Sequence, residues 1–146
     1  MTQPPSAPPG SALPASVTVL VVDDSKAMRT IVMRTIRQAG FEQLDFEEAE
    51  NGAEAKDILD QTPGIQLLLS DIVMPGEEDG ISLGLWTRER FPHMHVALMS
   101  GYSRDQTPAA IKFPYLQKPY RREALLEIVE RATSAAKPVA PQARAG

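Results

Sequence analysis

The sequence predicts an α/β domain in which a strand-helix unit is repeated five times, giving a doubly wound, five-stranded parallel sheet with helices on both faces. Two observations lead there. Short apolar runs of strand length alternate with segments whose apolar residues recur at helical spacing, and turn residues fall between them. Each of the principal runs is also followed at once by polar or small residues, which places a ligand site beyond the carboxyl ends of the strands.

The elements follow in order. Val17 to Val22 reads as the first buried strand, and Met28, Ile31, Val32 and Ile36 mark a helix that Gly40, after Ala39, closes as a C-cap. A weaker strand is expected at Leu44 to Ala49, and Asn51-Gly52 reads as a turn. Ala55, Ile58 and Leu59 mark the second helix, which Pro63-Gly64 ends before a strand at Ile65 to Leu69. The third helix is expected from about Ile81 to Arg90, stopped by Pro92, and the fourth strand at Val96 to Met99. A short fifth strand at Tyr115 to Gln117 precedes the last helix, carried by Leu125, Ile128, Val129 and Ala132.

Composition narrows the class. A chain of 146 residues fits one domain. The hydrophobic fraction of 42% suits a packed core, and no apolar run approaches the roughly 20 residues of a spanning helix, so a soluble protein without membrane insertion is expected. Residues 1–16 carry Pro4, Pro5, Pro8, Pro9 and Pro14 without the basic start and apolar stretch of a signal peptide, and read as a disordered arm. Residues 137–146 read as a disordered tail, which leaves 17–136 as the folded unit, with no output domain expected. A net charge of −4 without a basic cluster argues against direct nucleic-acid binding. The absence of Cys removes disulfides and thiolate chemistry and is compatible with the cytoplasm.

Reading the strand ends gives Asp23 and Asp24 after the first, Asp71 after the third, Ser100 after the fourth and Lys118 after the fifth. Three carboxylates brought together repel, which raises at least one pKa unless a cation neutralises them. An all-oxygen donor set with open positions favours Mg2+. Lys118 adds a positive charge and Ser100 a hydroxyl donor, and together these groups form a cradle for a phosphoryl group.

Through VLVVDDS at 19–25, LLSDIVMPGEEDG at 68–80, MSGYS at 99–103 and LQKPY at 116–120, the sequence resembles the receiver domains of two-component response regulators. The resemblance runs from Val17 to about Ala132 and implies a flavodoxin-like fold. It further implies that Asp71 accepts the phosphoryl group, that Asp24 and Asp71 bind Mg2+ directly, and that Asp23 assists through water while the Val73 backbone carbonyl adds a ligand. By the same resemblance Lys118 contacts the phosphoryl group, the Lys118–Pro119 bond is cis, Ser100 moves toward the phosphate, and Tyr115 follows it. The implied donor is a sensor histidine kinase or a histidine phosphotransfer protein, with a downstream protein target.

Two departures stand out. Seventeen residues, 101 to 117, separate Ser100 from Lys118, about one helical turn fewer than the family leads one to expect. With Pro108 and Pro114 in that stretch, the helix between the fourth and fifth strands is expected to be short or irregular, as in receivers attached to hybrid sensor kinases. The loop PGEEDG is one residue longer than the commonest form.

An aspartate-based phosphatase of the haloacid-dehalogenase type needs an acid two residues after its nucleophile, and Val73 stands there, so no turnover of outside substrates is expected. A receiver-like docking module that no longer accepts phosphate is the remaining alternative. Whether the chain is a switch or a phosphate sink, and whether it oligomerises, stays open in the sequence. Val73 and Tyr102 are expected to flank the attacking water and slow self-dephosphorylation, and Ser25, Lys26 and Met28 to meet the donor. His93, His95, Trp86, Met94 and Met99 are read as surface or packing residues.

Overall fold

The computed structural model describes residues 17–76, 78–101 and 113–136, with the backbone alone for 134–136. Among them the order is β1 (Thr18–Val22), α1 (Lys26–Gln38), β2 (Asp45–Ala49), α2 (Gly52–Gln61), β3 (Ile65–Asp71), α3 (Gly80–Arg90), β4 (His95–Ser100), β5 (Tyr115–Gln117) and α4 (Arg122–Ala136). The expected arm, tail, Tyr102 and irregular helix between β4 and β5 lie outside the described residues.

All five strands pair in parallel in the order β2-β1-β3-β4-β5. Strand periodicity divides the core between the two faces. Leu20, Leu68 and Leu98 point to the side covered by α2 and α3, where they pack with Ala55, Leu59 and Leu83. Val19, Val21, Leu67, Leu69, Ala97 and Met99 point to the other, with Val32 and Ile36 of α1 and Leu125 and Val129 of α4. The near-continuous apolar runs in the central strands reflect burial on both faces.

Caps fix the helix boundaries. Ser25, Asn51 and Asp79 each accept a hydrogen bond from the amide three residues on, at 3.2, 2.8 and 2.8 Å. Asn51-Gly52 is therefore the start of α2 rather than a free turn. The Glu54 carboxylate in turn accepts from the Glu50 amide at 2.8 Å, just ahead of the cap, and the two bonds together hold the Asn-Gly pair at the start of the helix. Gly40 follows the α1 C-cap Ala39 with φ +108°, a left-handed conformation that glycine adopts without a Cβ penalty.

Several expected strand boundaries shift: β1 begins at Thr18 rather than Val17, β2 at Asp45 rather than Leu44 and β4 at His95 rather than Val96. β3 extends through Asp71 and β4 through Ser100, because parallel pairing continues to Asp71 opposite Met99 and Ser100 opposite Gln117. Ile31, expected on the apolar face of α1, is half exposed, whereas Arg29 is buried there with Val32 and Ile36.

Candidate functional site

The strand order reverses direction between β1 and β3, and the crevice at such a switch point is where doubly wound sheets bind ligands. Register brings the acids to it. Val22 lies beside Ser70, so the residues that follow, Asp23 just past β1 and Asp71 at the end of β3, are brought side by side. One ligand oxygen each from Asp23, Asp24 and Asp71 falls within 4.8 Å of the others. Asp23 and Asp71 are buried, while Asp24 is exposed at the rim.

Lys118 completes the cluster. Its amide donates to the Ser100 carbonyl at 2.7 Å as the chain leaves β5, and the Lys118–Pro119 peptide bond is cis, as expected. The ammonium lies 3.3 Å from Asp23 Oδ2 and 3.6 Å from Asp71 Oδ2, so one cation faces two acids. Asp23 is held on its other oxygen by the Ser25 amide, which donates to Oδ1 at 2.9 Å.

Burial pushes the Asp71 carboxyl above the ordinary range; Lys118 opposes this, Asp23 adds to it, the Ile72 amide opposes it and Asp24 adds a smaller part. Repulsion among the acids was expected to be the cause. Desolvation is the larger one, because Asp71 ends an interior strand beneath its own loop. Burial and the charge of Asp23 likewise raise the Tyr120 hydroxyl.

Ser100 ends β4 fully buried, and Tyr115, half-buried, stands opposite Leu98 in β5 and packs on the α2/α3 side of the core. Val73, two residues past Asp71, is more than half exposed. His95 begins β4 and so lies at the opposite end of the sheet from Ser100.

Sequence reasoning gave no role to Gly80 or Arg29. Gly80 closes the loop after Asp71, donating its amide to the Ile72 carbonyl at 2.8 Å, and a Cβ there would overlap the Asp71 carbonyl oxygen. Arg29 was detectable as a charge at a core position of an amphipathic helix. Among the described residues no helix is long and apolar enough to cross a membrane.

The donor set fits a hard divalent cation: three carboxylates within reach of one another, one open to solvent, and no nitrogen or sulfur ligand among them. Sheet order, acid cluster and opposed lysine place a charged, partly buried site at the switch point of a doubly wound sheet.

Comparison with known proteins agrees. The profile of the response regulator receiver domain matches residues 19–130. The chain is 34% identical over 123 residues to the sensor kinase CckA of Brucella abortus, covering 81% of this chain and 13% of that protein. It is 38% identical over 121 residues to the DNA-binding transcriptional regulator NtrC of Escherichia coli K12, covering 80% and 24%. The chain thus spans about a quarter or less of the curated relatives it matches.

Among solved structures, a two-component transcriptional regulator AraC from Clostridium phytofermentans superposes with TM-score 0.72 at 29% identity, covering 83% of this chain and 95% of that one. A Francisella response regulator 1452 receiver domain gives 0.71 at 25%, covering 84% and 100%. The chain belongs to the response regulator receiver domain family, and its role is that of a phosphoacceptor receiver in two-component signalling. Receivers are signalling domains that work with sensor kinases or phosphotransfer proteins.

Proposed function

We propose that Asp71 is the phosphoacceptor, taking a phosphoryl group from a phosphohistidine of a sensor histidine kinase or a histidine phosphotransfer protein. The observation that carries this reading is the Lys118 ammonium set between Asp23 and Asp71 beside the three-carboxylate cluster. An Asp71 carboxylate oxygen attacks phosphorus in line, the phosphorus–nitrogen bond breaks, and the imidazole leaves with its electron pair. Asp71 attacks as an anion, so no general base is required. Lys118 favours that anion against the cost of burial.

Asp24 and Asp71 would hold Mg2+ directly, with Asp23 assisting through water and the Val73 carbonyl as a further ligand. An ion held there would supply charge neutralisation for the phosphoryl group. Lys118 takes one phosphoryl oxygen and the Ser100 hydroxyl another. Withdrawal of Ser100 toward the phosphate frees space that Tyr115 enters, which changes the surface offered to a downstream protein. The protein turns over no outside substrate and acts in the cytoplasm.

The test is intact-protein mass after incubation with acetyl phosphate, with and without Mg2+, for wild type and Asp71→Asn. A Mg2+-dependent gain of one phosphoryl group that vanishes in Asp71→Asn supports the reading. No gain, together with no binding of beryllofluoride, would favour a phosphorylation-independent docking module.

A further inference from the structure

α1 carries a buried cation that no step above uses. Arg29 is 7% exposed, on the face of α1 that also buries Val32 and Ile36. One guanidinium NH donates to the Asp23 backbone carbonyl at 2.5 Å, and Nε donates to Glu48 Oε1 of β2 at 2.8 Å. Glu48 stands beside Val21 in the parallel register, and the Asp23 amide donates to Ala49 of β2 at 3.1 Å. The main chain of Asp23 is therefore tied to β2 on both sides, directly through its N–H and through Arg29 at its C=O.

That carbonyl belongs to the peptide unit joining Asp23 to Asp24. Its orientation sets where Asp24, exposed at the rim, aims its carboxylate. Only a planar fork with separate donors reaches both Asp23 and Glu48 at once; a lysine ammonium has neither the reach nor the geometry. An arginine kept only to pack against the apolar core would need no fixed pair of partners, since its stem can bury while the head goes to water.

We propose that Arg29 is a positioning residue for the metal and acceptor site, holding the Asp23–Asp24 peptide in the orientation that presents both acids to the cation, with Glu48 as its anchor. The proposal rests on the reading of these acids as a metal centre. Outer partners that orient metal ligands commonly carry a ten- to hundredfold share of affinity.

The experiment uses the full chain and measures the Mg2+ dissociation constant by calorimetry for wild type, Arg29→Lys, Glu48→Ala and Asp24→Asn. Metal-free amide spectra are recorded beside it. Arg29→Lys is expected to weaken Mg2+ binding about tenfold and to shift the Asp24 and Ser25 amide resonances before any metal is added. Glu48→Ala, at a partly exposed position that tolerates truncation, weakens binding in the same direction and decides the matter if Arg29→Lys does not fold. Wild-type affinity in the folded variants, with at most a loss of stability, overturns the positioning role. If instead wild type and Asp24→Asn bind Mg2+ alike or not at all, the metal-centre reading itself fails, and that result is separate from the first.

Discussion

Gly80 crosses the end of β3 in direct contact with the backbone of Asp71. A Cβ at position 80 would overlap the Asp71 carbonyl oxygen and stand 2.8 Å from Ile72 Cα. The loop that leaves Asp71 thus closes back against the backbone of β3 at Gly80. Gly80→Ala must move backbone rather than a flexible side chain. It is expected to cost about 3 kcal/mol of stability, read as a lowered urea midpoint, and a loss below about 1 kcal/mol would mean that the loop yields.

The raised Asp71 pKa gives a signed pH dependence. The folded state holds the Asp71 proton more tightly than the unfolded chain, whose value is 3.8, so the unfolded state ionises first. Stability is therefore lost as pH rises from 3.8 through the folded value. In chelator at pH 7, Asp71→Asn is expected to melt higher than wild type, with the gap closing as pH falls toward 3.8. A lower melting temperature for Asp71→Asn at pH 7 would contradict the sign.

Asp24 differs from its neighbours in being exposed, so its charge contributes little to the metal-free fold. Asp24→Asn should leave urea stability in chelator within about 0.5 kcal/mol of wild type. Mg2+ at ten times its dissociation constant should stabilise wild type by about 1.4 kcal/mol, and this increment should disappear in Asp24→Asn. An equal increment in both proteins would remove Asp24 from the ligand set.

Met28 and the half-exposed Ile31 line a groove of about 590 Å³ with Lys118, Pro119 and Tyr120, next to the acceptor edge. The proposed phosphohistidine donor, to reach Asp71, would pass over it. Met28→Asp is expected to slow transfer from the cognate kinase at least tenfold, while uptake from acetyl phosphate stays within about twofold. Equal transfer rates from the kinase would rule out this face.

The fold was legible because its elements repeat two simple periods. Runs such as Val19 to Val22 and Leu67 to Leu69 are apolar without interruption because both faces of the sheet are covered, and α1, α2 and α4 carry stripes at helical spacing. The positions of Asp23, Asp71, Ser100 and Lys118 were legible for a related reason: each ends a strand or directly follows one, and Asp24 comes next after Asp23.

What stayed hidden depended on contacts between distant segments. Asn51-Gly52 looks like a turn until Glu54 closes the cap, and Ile31 looks like core until the packing of α1 selects Arg29 for the interior. The order of the nine described elements and the residue types at the strand ends could be read locally, since periodicity and chemistry are local properties. Folding in three dimensions is what set Lys118 against both Asp23 and Asp71, pressed Gly80 onto the Asp71 backbone and brought Arg29 to the Asp23 carbonyl. Those facts follow from parallel register and from the approach of one backbone to another, which no local spacing encodes.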